Sequence, residues 1–598
     1  MATDHADYHE EEITEKPFDA RLMWRLLGYL RPYWAWVSLA FALILVTSVS
    51  QQLGPYLTKL AVDDHILKGD WAGLQNLVLI YAAVLLSQFA VLFFQNYVTQ
   101  MTGQLAMFDV RKGIFAHLQK LPLKFFDRTP IGRLMTRNTN DVDALNDFLT
   151  DGVVVVFSDI FAIFAIAFFM FWLDPELGGL VCLVLPVMFG ITFWFQGRML
   201  RAFRRARTRL ARINAFLQEN ISGMPVVQLF NREVQHARRF DGVNRHYLEA
   251  NLESTFYYSL FFPIMEVMGA TAIALVIWYG GGEVLREEIE WGVLVAMLQY
   301  IPRFFRPVFE ISERYAMLQA AMASSERIFE LLDEEIEPTG GSVRQDRVRG
   351  EIEFDGVWFA YQDEDWVLKN VSFRVEPGQS VAFVGATGSG KTTVISLLCR
   401  FYDIQRGSIR VDGIDIVDWD VEALRYHIGI VQQDVFLFSG DIAGNIRLGN
   451  HNISQKQIEA AAQGVNADVF IRNLAAKYSE PVTERGSTLS AGQRQLLAFA
   501  RALAFDPSIL VLDEATANVD TETEGWIQQA VERLMARRTS IVIAHRISTI
   551  RRADMIIALH KGELQERGTH DELLAVRGIY HRLHRLQYAS DEGDGAER

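Results

Sequence analysis

The sequence predicts a membrane α-helical domain of six transmembrane helices with long cytoplasmic extensions, joined to an α/β domain. Three observations carry this. Six long apolar stretches lie in the first half of the chain, the charges between them are asymmetric, and a strand–glycine loop–helix pattern opens the second half. Of the 598 residues 50% are hydrophobic although 22% are charged, so the average hides one very apolar region and one ordinary one. A chain of this length exceeds a single core, and several domains are expected.

Residues 1–18 read as a solvated polar tail, with Glu10-Glu11-Glu12 too polar to fold alone. Met1–Lys16 is acidic and lacks the basic-then-apolar form of a cleavable signal peptide. From Asp19 to Trp34, Leu22, Leu26, Leu27 and Leu30 share one helical face, with Trp and Tyr beside them. That is the pattern of an amphipathic elbow helix lying on a membrane surface.

The six stretches are Trp36–Leu53, Leu77–Phe94, Val153–Leu173, Leu177–Phe195, Tyr257–Tyr279 and Val293–Phe309. Most approach the roughly 20 residues that cross about 30 Å of hydrocarbon. Between the fourth and fifth lie Arg198, Arg201, Arg204, Arg205, Arg207, Arg209 and Arg212; a second basic loop, Arg111 to Arg137, joins the second and third. The opposite loops are short and mostly acidic, so the long basic loops are expected in the cytoplasm. An even number of spans then leaves both termini, and the α/β domain, on the cytoplasmic side of the cytoplasmic membrane. Within the two long loops, Phe125–Arg133 and Gly223–Glu233 are short apolar, turn-rich segments, expected to dock on the α/β domain. The transmembrane domain is expected over 19–332, a charged Pro/Gly-rich linker over 333–350, the α/β domain over 351–585 and a polar tail over 586–598.

In the α/β region, Ser380–Val384 reads as a buried strand, and Thr393–Cys399 as the first turns of a helix. Between them, Gly385-Ala386-Thr387-Gly388-Ser389-Gly390-Lys391-Thr392 has the form G-x-x-x-x-G-K-[ST]. Glycines let successive backbone N–H groups converge on phosphate oxygens at a helix N-terminus. Lys391 can reach the β- and γ-phosphates, and the hydroxyl of Thr392 can hold Mg²⁺. A glycine-rich turn would explain the glycines but not the following Lys-Thr in this strand–helix context. Ile509-Leu-Val-Leu-Asp513-Glu514 is the pattern of a buried strand ending in carboxylates. Asp513 is suited to Mg²⁺ opposite Thr392, and Glu514 to polarising the attacking water.

Leu489-Ser-Ala-Gly-Gln-Arg-Gln-Leu-Leu-Ala-Phe-Ala-Arg-Ala-Leu503 precedes that strand. It resembles the signature motif of ABC transporter ATPases, and further family positions match in order. Tyr361 looks like the aromatic that stacks on adenine, Gln433 like the Q-loop glutamine near Mg²⁺ and the attacking water. Asp520 matches the D-loop, His545 the switch histidine that contacts the γ-phosphate, and Thr483–Gly486 the X-loop of exporters. The resemblance covers about residues 20–585 and implies the type IV exporter fold, with ATP and Mg²⁺ as cofactors. It implies a site shared between two chains, in which Ser490, Gly492 and Gln493 of one face the loop of the other, Gly385–Thr393. One P-loop and one six-span unit make a half-transporter that must dimerise.

Ala491 stands where the family usually has glycine. With Glu514 and His545 intact, this resembles one half of heterodimeric multidrug-type exporters, and a heterodimer is expected over a homodimer. The implied function is ATP-driven export or flipping of amphipathic small molecules, drugs, lipids or peptides, by alternating access. An exporter-fold importer of a siderophore-like compound, or a dedicated lipid flippase, is the alternative. Gln51, Gln52, Gln88, Gln95, Asn96, Asp159, Glu266, Gln299 and Arg303 are the polar residues in or near the spans that could meet cargo or membrane lipids. The net charge of −15 argues against nucleic acid as a partner. Cys182 and Cys399 have no metal-ligand spacing.

Overall fold

Long helices separate from strands along the chain. The computed structural model describes residues 19–513, 521–536, 538–543 and 547–585, and they form two units, 1–120 with 129–335 and 121–128 with 336–598.

The first unit is helical. α1 (Ala20–Gly28) starts at Asp19, whose carboxylate accepts from the Arg21 N–H at 2.8 Å. Its Leu26 is buried, and Arg25 pairs with Asp333 at 2.6 Å and lies 4.3 Å over the Phe329 ring. The elbow helix therefore rests on the far end of the last helix of the unit. α2 (Trp34–Ser50) and α3 (Leu53–Leu60) follow, then α4 (Trp71–Leu118), α6 (Ile131–Asn138), α7 (Asn140–Asp147), α8 (Val154–Leu173), α9 (Pro175–Ser222), α10 (Met224–Leu229), α11 (Glu233–Leu285) and α12 (Trp291–Asp333), while α5 (Leu123–Arg128), between α4 and α6 in sequence, belongs to the second unit.

Five segments among the described residues are long and apolar enough to cross a membrane: Arg31–Ile66, Trp71–Leu118, Ile131–Leu173, Pro175–Ser222 and Glu233–Leu285. The sixth expected stretch, Val293–Phe309, lies on α12. α4, α9 and α11 run 48, 48 and 53 residues, far more than a bilayer needs. The first segment is longer than the expected Trp36–Leu53, because α3 and a π-helical turn, Ala61–Ile66, continue it past a break at Gln51–Gln52.

Large apolar side chains such as Phe89, Phe164, Phe193 and Trp278 are exposed, an arrangement suited to lipid rather than water. Inside the bundle, Met170, Leu177, Val181, Met188, Val276, Met297 and Tyr300 are buried together. Gly280 lets α11 approach closely, since a Cβ there would stand 3.1 Å from both Leu177 and Leu294.

The second unit contains a six-stranded sheet ordered β12-β11-β3-β10-β9-β6. Its strands are β3 (Ser380–Val384), β6 (Ile428–Val431), β9 (Ile509–Asp513), β10 (Thr539–Ile543), β11 (Met555–His560) and β12 (Glu563–Gly568). All pairings are parallel except β11 with β12. An antiparallel sheet ordered β2-β1-β4-β5 packs beside it, from β1 (Ile352–Ala360), β2 (Trp366–Val375), β4 (Arg406–Val411) and β5 (Ile414–Asp415).

The central strands have an apolar residue at nearly every position because both faces are covered. Alternate residues supply two different cores. Ala382, Val384, Leu510, Leu512 and Val542 pack with the helix Ala491–Phe505. Val381, Phe383, Val511, Ile541 and Ile543 pack with the antiparallel sheet and with α13 (Lys391–Leu398). This arrangement aligns the C-terminal ends of β3, β10, β9 and β6 along one edge.

Candidate functional site

At that edge β3 turns into α13 through Gly385–Gly390. Gly385, Gly388 and Gly390 have φ of +154°, +80° and +101°, values that L side chains rarely adopt. At Gly385 the approach is also close, because a Cβ would stand 2.3 Å from the Leu559 carbonyl oxygen. The loop therefore curls tightly and ends at the N-terminus of α13.

Lys391 is 8% exposed, and its Nζ donates to the carbonyls of Gly385 at 2.8 Å and Ala386 at 3.1 Å. Burial pushes its amine below the ordinary lysine value, and the Asp513 carboxylate pulls it partly back. Ser389 Oγ is buried without a partner among the described residues. A buried orphan hydroxyl inside an amide-lined loop is what a phosphate cradle would contain.

Asp513, at the end of β9, is level with Ile543 of β10, which is level with Phe383 of β3. Two strand spacings, about 10 Å, separate β9 from β3. β6 flanks β9 on the other side, and the exposed Gln433 follows it by two residues. Thr392, Asp513 and Gln433 thus offer a hydroxyl, a carboxylate and an amide oxygen along one edge, a hard donor set that fits Mg²⁺. Glu514, Asp520 and His545 lie outside the described residues.

Tyr361 follows β1, and its hydroxyl sits 3.2 Å from Thr393 Oγ1 on the first turn of α13. Its ring is 39% exposed and meets the edges of Phe359 and Tyr402 at 4.8 and 5.0 Å. Those contacts leave ring surface open beside the loop, where a base could stack.

Tyr402 was not legible as a functional residue. Its signal was its place in Arg400-Phe-Tyr-Asp403, just after α13. The phenol donates to Asp127, and Arg128 donates to the Tyr361 carbonyl at 3.3 Å. Burial raises the Tyr402 phenol well above its ordinary value, and the hydrogen bond to Asp127 adds to that. Leu121–Arg128 accordingly groups with this unit rather than with the helices that flank it in sequence.

Ser490 caps the helix Ala491–Phe505 in a reciprocal box. Its Oγ accepts from the Gln493 N–H at 3.2 Å, and its own N–H donates to Gln493 Oε1 at 3.0 Å. Gly492 is buried, whereas Ser490 and Ala491 are exposed, so the added methyl of Ala491 meets nothing that it must displace. The Cys399 thiol is pushed by burial up to about 12 and is inert.

Comparison with known proteins decides what this site belongs to. Residues 37–308 match the ABC transporter transmembrane region, and residues 368–517 match the ABC transporter family. The chain belongs to the ABC transporter family. It is 40% identical over 98% of its length to 97% of the uncharacterised ABC transporter ATP-binding protein YknV of Bacillus subtilis. It is 38% identical over 86% of its length to 77% of the same organism's probable multidrug resistance ABC transporter ATP-binding/permease protein YheH. With the ATP-dependent lipid A-core flippase of Syntrophus aciditrophicus it shares 36% identity over 95% of both chains. This ABC transporter is an integral membrane protein that binds ATP and couples its hydrolysis to export.

Proposed function

We propose that the chain is one half of a dimeric exporter that moves amphipathic small molecules, drugs or lipids, out across the cytoplasmic membrane by alternating access, with its ATPase domain in the cytoplasm. The observation that carries this is a single phosphate loop on a chain whose one signature helix presents an exposed N-terminus, Ser490-Ala491. In this reading each ATP lies between Gly385–Thr393 of one chain and Ser490, Gly492 and Gln493 of the other. The helix N-terminus supplies donors that one loop alone lacks.

Tyr361 stacks on adenine, and Lys391 leaves the Gly385 and Ala386 carbonyls to neutralise the β- and γ-phosphates. Thr392, Asp513 and Gln433 hold Mg²⁺, which when bound offsets phosphate charge. Glu514 polarises the attacking water, while Asp520 and His545 complete the interface. Closure of the dimer is driven by the tighter binding of ATP to the closed state. Leu121–Arg128 passes the movement on, and its contacts with Tyr402 and Tyr361 support that role.

A heterodimer with a second, different half-transporter fits the altered signature beside intact Glu514 and His545. The purified chain alone should then hydrolyse ATP slowly in lipid vesicles and accelerate when the second half is added. Brisk turnover by the single chain would rule the heterodimer out.

A further inference from the structure

The first span is broken, and side chains from two other spans hold the break. α2 ends at Ser50 and α3 starts at Leu53. Pro55 has no N–H, so the Gln51 carbonyl four residues earlier lacks its helical donor. Arg303 of α12 supplies one, Nη1 to the Gln51 oxygen at 2.6 Å. The next carbonyl, Gln52, accepts from the Tyr300 hydroxyl at 2.7 Å, and the preceding one, Ser50, accepts from Gln88 of α4.

The three capping side chains differ in one respect. Tyr300 is fully buried and Gln88 half-buried, whereas Arg303 is exposed. A guanidinium carries five N–H donors, and Gln51 takes one of them. Among the described residues no carboxylate pairs with Arg303, which lies roughly 18 Å along the helix from Trp291, near the middle of the expected sixth span, Val293–Phe309. A cation at that depth is costly unless it meets water or an anion. Beside it, Gly54 packs between the two side chains, since a Cβ there would be in ordinary contact with Arg303 Nη2 at 3.9 Å and with the Tyr81 hydroxyl at 3.5 Å. A cation and a hydroxyl donor therefore flank Gly54.

We propose that Arg303, with Tyr81 across Gly54, is an anion-recognition point for cargo, and that the exporter takes amphipathic molecules bearing a carboxylate, phosphate or sulfate. This rests on the export reading above and narrows its substrate class. Gln51 orients the guanidinium, leaving its remaining donors for the anion. A carboxylate on the partner half-transporter is the rival source of the same chemistry.

The test uses the full chain in phosphatidylcholine nanodiscs without ATP. Two fluorescent probes, 11-(dansylamino)undecanoic acid and its methylamide, share the dansyl group and chain and differ at the headgroup, an anionic carboxylate against a neutral amide. The acid should bind at least tenfold more tightly. Arg303→Gln keeps an amide N–H for the Gln51 carbonyl, and should erase that preference while leaving methylamide binding unchanged; Arg303→Lys should retain part of it. Equal affinity for the two probes, binding of neither, or a preference that survives Arg303→Gln would overturn the proposal. So would an Arg303→Gln chain that loses its dimer by mass photometry but keeps the preference, because the charge would then belong to the subunit contact. If the acid binds selectively yet is not accumulated by inside-out vesicles given ATP, the export reading fails and the anion point stands.

Discussion

The two units treat polar groups in opposite ways. In the ATPase unit the central strands are mostly apolar on both faces, and the polar side chains suited to a nucleotide, those of the loop, Asp513 and Gln433, lie at one sheet edge. In the membrane unit, Thr47, Ser48, Gln52, Gln95 and Thr99 are buried and keep a side-chain oxygen without a protein partner among the described residues. A folded core tolerates few such atoms. The contrast teaches that the nucleotide site is fixed by backbone geometry, whereas the membrane unit holds unused hydrogen-bonding capacity around a broken helix.

Mutations can break or sharpen that contrast. The largest effect is expected from Lys391→Ala, which removes the cation proposed to meet the phosphates. ATPase activity should fall about 10²–10³-fold with the fold intact by circular dichroism. Next is Gly385→Ala, where the new methyl meets the Leu559 carbonyl at 2.3 Å. It should destabilise the ATPase unit by about 1–3 kcal/mol in a denaturant titration. Tyr361→Ala removes a stacking face and should raise KM for ATP about tenfold, as the loss of one base–aromatic contact does, while Tyr361→Trp should restore it. Smallest is Arg25→Ala. Both partners of its ion pair are largely exposed, at 43% and 60%, so the loss should stay near 0.5 kcal/mol in thermal unfolding. A cost several times larger would show that the cation–π contact with Phe329 anchors the elbow helix.

Much of this architecture is legible in the sequence because its signals are local. The phosphate loop needs only a strand, a spaced set of glycines and a helix, and all three are contiguous from Ser380 to Leu398. The apolar stretches are likewise continuous, so the spans are found although their ends move, as with Arg31–Ile66. What is not legible depends on distant partners. Nothing near Gln51 announces that Arg303, about 250 residues away, caps its carbonyl, although Pro55 marks a helix interruption. Tyr402 reads as an ordinary aromatic until Asp127 and Tyr361 are placed beside it. Ala491 reads as a defect in the signature, and its exposure gives the methyl room.

Glu514 is the residue proposed to polarise the attacking water. The most direct measurement is ATP binding beside vanadate-sensitive ATPase turnover for the wild type and Glu514→Gln, in membrane vesicles from cells producing each. The account predicts equal ATP binding and a turnover about 10²–10³-fold lower in the variant. Near-wild-type turnover by Glu514→Gln would contradict it.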